Sequence, residues 1–368
     1  MSRAELLDAE AAETMGFAPE RLRFAWEAVR EAVEAGETPG AVAIVSRRGM
    51  RLRYAYGCSV DDGSQQVPIS FDTIYDCASL TKIAVTLPLL LLLIDRGRLL
   101  LSDPLFRYIP GFDDPVKRQI NVLQLLTHTS GLAPFFDMSG LDRNGIIDFI
   151  SQSELRSAPG TKIEYSDCGF ILLGALIEKL TDMTLDEAAE RELFRPLGMA
   201  DAGFLPHPGK YARIAPTEYD ADMGACLRGI VHDPNARAMG GISGHAGLFA
   251  AADDLIRYAE LWLRDAPGGQ RLLSQAAMRA AISCRTASVP GGRRGLGWAL
   301  KGDPLDPSGD WLSADTFGHT GFTGTSLVVD PICGLAAVLL TNRVHYGRDV
   351  SVVRLRARFH NALAAALA

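Results

Sequence analysis

The sequence lacks an apolar run long enough to cross a membrane. Its most hydrophobic stretch, residues 87–94, is ended by Asp95, whereas a membrane-spanning helix needs about 20 apolar residues. Residues 1–18 are acidic and contain no apolar segment of the kind that a secretory signal requires. We therefore predict a cytoplasmic protein with no membrane partner.

Cysteine pairs are also missing. The six cysteines are scattered and no two form a C-x-x-C pair, so zinc-ligand spacing is absent. Two histidines, His232 and His245, are candidate metal ligands by residue type, but no third ligand stands at a matching spacing. The sequence thus predicts no metal, and nothing in it indicates an organic cofactor.

Positive charge is in deficit. The sequence has 37 lysines and arginines against 44 aspartates and glutamates, for a net charge of −7. Proteins that bind nucleic acid carry basic surfaces, so this balance argues against a nucleic-acid partner. The glycine-rich segment 232–249 has no following Gly-Lys-Ser/Thr and is therefore not a phosphate loop. We expect this segment to line a cleft.

Secondary-structure patterns at the two ends of the chain resemble each other and differ from those of the middle. Residues 18–35 have helical periodicity, and residues 41–56 alternate as a β-hairpin. From Ser79 to about residue 283 the patterns are mostly helical. Strand patterns return at 295–341, and residues 352–367 form an amphipathic helix. One sheet built from both chain ends, with a helical part inserted, accounts for this order.

These patterns, with no linker or internal repeat, predict a single domain over 18–368. Its sheet subdomain would comprise about 18–75 and 285–368, and its helical subdomain about 76–284.

Ser79 and Lys82 form an S-x-x-K motif in front of the apolar run. Residues three apart on a helix share a face, so Lys82 Nζ can reach Ser79 Oγ. Serine needs a base to act as a nucleophile, and an apolar helix around Lys82 would lower the pKa of its ammonium by desolvation. With 21 serines and 6 lysines, one such match is expected by chance about 0.3 times. Taken alone, the motif also fits a capping serine beside a solvated lysine.

Two more motifs follow in a fixed order: Tyr165-Ser166-Asp167 and His319-Thr320-Gly321. The ordered triple resembles the serine β-lactamase and penicillin-binding-protein superfamily, in its class C, D,D-peptidase and family VIII esterase branch. The pattern of that branch is S-x-x-K, Y-x-N and K/H-x-G. The resemblance spans about residues 20–365. It implies an α+β fold of the β-lactamase/transpeptidase type: an antiparallel sheet flanked by terminal helices, an inserted all-α subdomain, and a site in the cleft between them.

The resemblance also implies the role of each motif residue. Ser79 would be the nucleophile, Lys82 the general base and Tyr165 a proton shuttle, and which of the last two is the principal base stays open. The oxyanion hole would pair the backbone N–H groups of Ser79 and Phe322. The implied substrate-binding residues are Asp167, His319, Thr320 and Gly321, with Gly321 allowing substrate close to the backbone.

Two residues depart from the family pattern. Asp167 stands where the family usually has asparagine, and an ionised carboxylate cannot donate to a substrate carbonyl. Asp167 would also favour charged Lys82, which weakens it as a base. It would accept from a substrate N–H or ammonium, or else cap the helix that begins near Cys168. His319 replaces the lysine, and a mostly neutral imidazole attracts a substrate carboxylate less than an ammonium does.

We therefore predict a serine hydrolase that cleaves ester or amide bonds through an acyl-enzyme on Ser79. Its substrate would be a small-molecule ester, amide or short peptide, as for a β-lactamase-related esterase or a small D-amino-acid peptidase. One alternative is a D,D-carboxypeptidase or penicillin-binding protein with weak β-lactamase activity. Another is a catalytically degenerate ligand-binding module, suggested by Asp167. His128, in a Thr/Ser-rich turn, is expected to be structural.

Overall fold

The computed structural model describes residues 3–61, 66–263 and 272–368. Within these ranges the chain alternates between short strands and helices. In chain order the strands are β1 Gly40–Arg47, β2 Met50–Asp61, β3 Gln66–Pro68, β4 Ile74–Asp76, β5 Tyr219–Asp220, β6 Ala225–Cys226, β7 Phe249–Ala251, β8 Ala299–Leu300, β9 Phe317–Thr320, β10 Ser326–Asp330 and β11 Leu335–Thr341. The α-helices are α1 Arg3–Thr14, α2 Pro19–Glu34, α3 Leu87–Asp95, α4 Val122–Leu126, α5 Arg143–Gln152, α6 Asp167–Thr181, α7 Leu185–Ala189, α8 Arg195–Leu197, α9 Pro234–Ala238, α10 Ala252–Glu260, α11 Gln275–Ile282 and α12 Val353–Ala366.

The main sheet takes strands from both ends of the chain. Its order is β3-β2-β1-β11-β10-β9-β8, and every neighbouring pair is antiparallel. The centre of the sheet joins β1 to β11, with Ala41 opposite Thr341. This arrangement confirms the predicted fold class and the hairpin that turns between Arg47 and Met50.

The two faces of the sheet bury different partners. Successive residues of a strand point to opposite faces, and in β1 Ala41, Ala43 and Val45 pack with residues of α2 and α12. The alternate residues Val42 and Ile44 face the larger core, where α10 packs against β1 and β11. Terminal helices on one face and internal helices on the other hold the sheet between two layers.

The helical part is built around two apolar helices. All residues of α3 from Leu87 to Leu93 are buried, as are most of those in α6. A helix that is apolar on every side needs partners all around it. The segment that leads into α3 is a single π-helical turn, Lys82–Thr86, which places the S-x-x-K motif at the inner end of the most buried helix.

Several local predictions differ from the structure. The strand predicted over 295–300 is reduced to Ala299–Leu300, because Leu296 N–H and Gly297 N–H donate to Ala281 and Leu126 instead of to a neighbouring strand. Helix α1 had no counterpart among the sequence predictions. In the part of the chain that the structure describes, no helix is long and apolar enough to cross a membrane.

Candidate active site

Ser79 and Lys82 lie in direct contact. Lys82 Nζ donates to Ser79 Oγ at 2.9 Å, and the lysine side chain is completely buried. Ser79 follows Ala78, whose φ of 45° is in the left-handed region, a conformation that costs a non-glycine residue about 1–2 kcal/mol. Asp76 holds this turn by accepting the Ala78 N–H at 2.8 Å.

The Lys82 ammonium has three oxygen neighbours. Besides Ser79 Oγ, it donates to the backbone carbonyl of His245 at 3.0 Å and forms an ion pair with Asp167 Oδ1 at 2.7 Å. Burial is the largest influence on the pKa of Lys82 and lowers it, but Asp167 and Tyr165 together outweigh burial and raise that pKa above its usual value. The expectation that Asp167 favours charged Lys82 is confirmed, and the expected lowering of the Lys82 pKa is wrong.

Asp167 is not the cap of α6. Ser166 has the extended backbone of a cap residue, and its Oγ accepts the Gly169 N–H at 3.2 Å. Asp167 is the first residue inside the helix, so the capping interpretation is wrong. Its carboxylate is directed to Lys82 instead.

Tyr165 lies beside Lys82, and the His128 ring packs against the Tyr165 ring. Lys82 Nζ is 5.0 Å from the centroid of the Tyr165 ring. The His128 ring lies 4.4 Å from the same ring, and its Nδ1 accepts the Ser166 N–H at 3.0 Å. Burial lowers the pKa of His128 well below its usual value, followed by repulsion from nearby cations. A neutral His128 therefore fixes the turn that carries the second motif.

His319 belongs to β9 and faces Tyr165, with ring centroids 6.0 Å apart. Its Nδ1–H donates to the Thr320 carbonyl at 2.9 Å. Burial first, and then repulsion from Lys82 and Arg294, lower the pKa of His319 to about 3. The imidazole is thus neutral at physiological pH.

The end of β9 packs closely against the chain that precedes Ser79. A Cβ placed on Gly321 would lie 2.2 Å from Thr325 Oγ1 and 2.5 Å from the Cys77 carbonyl. The space that a side chain would occupy at this position is therefore filled by the protein. The glycine sets the distance between β9 and the Ser79 turn.

The two backbone groups expected to form the oxyanion hole are free. Neither Ser79 N–H nor Phe322 N–H donates to an acceptor among the described residues. Phe322 is 47% exposed, and its ring lies between the His232 ring, at 5.6 Å, and the Arg343 guanidinium, at 4.7 Å. These two contacts hold the residue whose N–H would face the substrate.

A cavity of about 370 Å³ opens beside Ser79. Motif residues form one part of its wall, and arginines form much of the rest. The motif residues are Ser79, Tyr165, His319, Thr320 and Gly321, followed by Phe322; the charged residues are Arg294, Arg343, Arg348, Arg356 and Asp349. Sequence reasoning missed these arginines, because they follow no local motif in a chain rich in arginine.

The two histidines considered as metal ligands serve different contacts. His232 Nε2 lies 2.7 Å from Glu218, whereas His245 Nε2 lies 2.8 Å from Asp233. Among the residues that the structure describes, no three histidine, cysteine or acidic side chains form a group that could hold a metal.

The glycine-rich segment 232–249 contacts Lys82 through its backbone. None of its residues lines the cavity. His245 O accepts from Lys82, and Gly244 O accepts from Thr86 Oγ1 at 2.6 Å. A Cβ on Gly244 would lie 2.2 Å from the Phe170 carbonyl of α6. The expectation of a cleft-lining loop is wrong: the glycines allow the segment to pack between two helices.

The site combines a serine in contact with a buried lysine, a neighbouring tyrosine and a strand that carries the H-T-G motif. This combination defines a serine hydrolase. The chain belongs to the Beta-lactamase family, whose model matches residues 27–362. It is 32% identical to a Bacillus subtilis (strain 168) protein named N-acetylmuramyl-L-alanine amidase, over 91% of this chain and 83% of that protein. It is also 32% identical to a putative D-alanyl-D-alanine carboxypeptidase of Escherichia coli (strain K12), over 90% and 85% of the two chains.

A solved structure with the same fold is described as EstCE1, a hydrolase with promiscuous acyltransferase activity. It superposes with a TM-score of 0.74 at 22% identity, covering 98% of this chain and all of that one. At this identity the similarity concerns the fold alone.

Proposed function

We propose that the protein hydrolyses amide bonds, and the more reactive esters, in small peptide-like substrates through an acyl-enzyme on Ser79. The observation that carries this proposal is the 2.9 Å contact between Lys82 Nζ and Ser79 Oγ at the edge of a cavity. The relatives named as an amidase and a putative carboxypeptidase support an amide substrate.

In this mechanism Ser79 Oγ bonds to the substrate carbonyl carbon and releases its proton to Lys82. Only neutral Lys82 can accept that proton, so acylation proceeds through the fraction of enzyme in which the ammonium has lost one. The N–H groups of Ser79 and Phe322 would stabilise the tetrahedral oxyanion. The leaving nitrogen or oxygen then takes a proton through Tyr165 as its bond to carbon breaks. A water molecule then attacks the carbonyl carbon of the acyl-enzyme by the same steps. The acid is released and Ser79 is restored.

The arginine-lined cavity favours the D,D-carboxypeptidase as a second candidate. The leaving group of such an enzyme is an amino acid with a free carboxylate, which a cationic wall attracts. A simple neutral ester has no negative charge for these arginines to attract. The raised pKa of Lys82 favours the remaining alternative, a binding module without turnover, because a protonated lysine cannot act as the base.

The test combines a substrate panel with covalent labelling. A short-chain p-nitrophenyl ester, a chromogenic cephalosporin and a D-alanyl p-nitroanilide would be assayed with wild type and Ser79→Ala. In parallel, a fluorophosphonate probe would be followed by mass spectrometry of the labelled peptide. We expect turnover of the amide and the ester, little turnover of the cephalosporin, and an adduct on Ser79. Ligand binding with neither turnover nor adduct would support the binding module.

Asp167→Asn is expected to move the acid limb of the kcat/KM profile to lower pH. Removing the negative charge 2.7 Å from Nζ destabilises the ammonium, so the pKa of Lys82 falls and more enzyme holds a neutral amine at each pH. A fall of one pKa unit would raise kcat/KM below the limb about 10-fold.

The profile would be measured from pH 5 to 10 with a substrate that has no free amine. Asp182→Asn, at the far end of the same helix and exposed, is the matched control. For a substrate with a free ammonium, Asp167→Asn should raise kcat/KM by less, because the substitution also removes the carboxylate that would accept from that ammonium. An acid limb that stays in place would show that Asp167 does not set the protonation of Lys82.

A further inference from the structure

Asp76 is a buried acid that belongs to none of the three motifs and lies three residues before Ser79. The residue is 2% exposed, and among the described residues no lysine or arginine forms an ion pair with it. Burial raises the pKa of its carboxyl, and hydrogen bonds from two backbone N–H groups oppose that rise. A buried carboxylate is costly unless its oxygens are hydrogen-bonded, so the groups that bind these oxygens indicate the role of the residue.

One carboxylate oxygen of Asp76 holds the turn in front of the nucleophile. Oδ1 accepts the Ala78 N–H at 2.8 Å, and Ala78 has a φ of 45°, a conformation that is unfavourable for residues other than glycine. Because the peptide unit is planar, the backbone angles of Ala78 set the direction of the Ser79 N–H. The Asp76 carboxylate therefore controls one of the two proposed oxyanion donors.

The other carboxylate oxygen acts on the side chain that accompanies the second donor. Oδ2 accepts the His232 N–H at 2.7 Å. The His232 ring stacks against the Phe322 ring, with the ring planes inclined at 23°, and its Nε2 lies 2.7 Å from Glu218 Oε2. His232 is thus fixed at its backbone and at its ring, and it presents a fixed surface to Phe322.

The backbone carbonyl of Asp76 reaches the turn that carries Phe322. It accepts from Thr323 Oγ1 at 2.7 Å. The next carbonyl, of Cys77, accepts from Thr325 Oγ1 at 3.1 Å. Two threonine hydroxyls therefore attach the turn after β9 to the end of β4, although these segments lie more than 240 residues apart in the chain.

We propose that Asp76 is a positioning residue that holds the two N–H groups of the oxyanion hole at a fixed distance and angle. The inference rests on the proposed function and adds to it a residue that does not touch substrate. One contact of Asp76 governs the peptide of the Ser79 N–H, and two others govern the turn and the ring of Phe322. Oxyanion donors must converge on one point to stabilise the developing charge. An anchor shared by both donors therefore affects the transition state more than the bound substrate.

Asp76→Asn tests this role with little change in shape. The asparagine amide keeps one acceptor oxygen, and its nitrogen cannot accept the second N–H. We expect kcat for the p-nitrophenyl ester and the D-alanyl p-nitroanilide to fall about 10- to 100-fold, less than the roughly 100- to 1000-fold cost of losing an oxyanion donor outright. KM should change by less than about 2-fold, because acylation and deacylation use the same two donors.

A trifluoromethyl ketone that carries the acyl chain of the ester provides a second readout. Ser79 Oγ adds to its carbonyl carbon, the serine proton passes to Lys82, and the resulting oxyanion occupies the hole. Its affinity should fall in Asp76→Asn by the same factor as kcat/KM. Thr323→Val removes the hydroxyl that donates to Asp76 O and should lower both quantities together. Asp72→Asn, at an exposed aspartate of the same segment, is the matched control and should behave as wild type.

The outcomes separate this inference from the function beneath it. Wild-type kcat in Asp76→Asn, or a loss that leaves the affinity for the trifluoromethyl ketone unchanged, would overturn the positioning role and leave the proposed function in place. Ester hydrolysis that survives Ser79→Ala would overturn both. Thermal unfolding of each variant checks that it is folded at the assay temperature. Should Asp76→Asn not fold, Thr323→Val decides, and wild-type kcat and ketone affinity in that variant would contradict the proposal.

Discussion

Ser79→Ala is expected to lower kcat on the order of 10⁶-fold, the loss seen when a serine hydrolase loses its nucleophile. Lys82→Met should cost on the order of 10³-fold or more, because a positioned general base contributes about 10²- to 10⁴-fold. Methionine keeps the length of the buried side chain while removing the group that contacts Ser79 Oγ at 2.9 Å. Both losses would appear in kcat for the p-nitrophenyl ester and the D-alanyl p-nitroanilide.

The double variant makes this prediction sharper. Residues that act as one unit are not additive, so Ser79→Ala with Lys82→Met should be no slower than Ser79→Ala alone. Lys162→Met, an exposed lysine close to the Tyr165 motif, is the matched control and should retain wild-type rates. Thermal unfolding of each variant would separate lost chemistry from lost structure, since Lys82→Met leaves Asp167 without its cation. Additive losses would contradict a shared nucleophile–base unit.

Acidification is expected to destabilise the protein through three buried histidines. His128, His319 and His360 are buried, and burial is the first cause of the lowered pKa of each: well below its usual value in His128, about 3 in His319 and about 4 in His360. The unfolded chain binds protons at these sites near pH 6.5 and the folded protein does not. Stability is therefore full above pH 6.5 and is lost as the pH falls from 6.5 toward 4.

The free energy of unfolding lost on acidification is comparable with the whole free energy of unfolding of a typical domain. Each histidine contributes about 1.4 kcal/mol per pH unit in this window, so three contribute about 4 kcal/mol per unit. Typical domains unfold at a cost of about 5–15 kcal/mol. Urea unfolding between pH 7.5 and 4.5 should thus show a steep fall in the free energy of unfolding, with acid unfolding between about pH 4 and 5.

His360→Asn isolates one histidine. Its Nδ1–H donates to the Pro307 carbonyl at 2.9 Å, and an asparagine amide can replace that donor without titrating. In this variant the free energy of unfolding should fall with decreasing pH less steeply than in wild type, by about 1.4 kcal/mol per pH unit. His207→Asn, at an exposed histidine, should keep the full slope. Equal slopes in the His360 variant and wild type would exclude His360 as a source of the acid sensitivity.

Local geometry explains why so much of the site could be predicted. Ser79 and Lys82 are three residues apart on one helical segment, so their contact depends on backbone geometry that the apolar run already indicates. The hairpin of β1 and β2 has the same kind of origin, in alternating residues around a short turn. The order of the three motifs then identified the family, and with it the fold.

Tertiary contacts decided how that site is charged. The carbonyl oxygen of His245, which accepts from Lys82, is 163 residues away in sequence, and Asp167 reaches the same nitrogen from the start of α6. No local pattern reports such distances, so the raised pKa of Lys82 could not be read from the apolar helix around it. Desolvation of Lys82 and the opposing charge of Asp167 were both foreseen, but which of the two dominates the pKa depends on distances that only the fold sets.

The sequence by itself determined the class of chemistry, since a nucleophile, its lysine and the motif order are local properties of the chain. Only the tertiary structure decided why Gly321 is a glycine, where the glycine-rich segment lies, and which arginines line the cavity. Arg294, for example, is one of 31 arginines, and only folding buries it and pairs it with Asp303. Burial and long-range pairing arise from packing between elements distant in the chain, and packing is the physical quantity that a linear pattern does not contain.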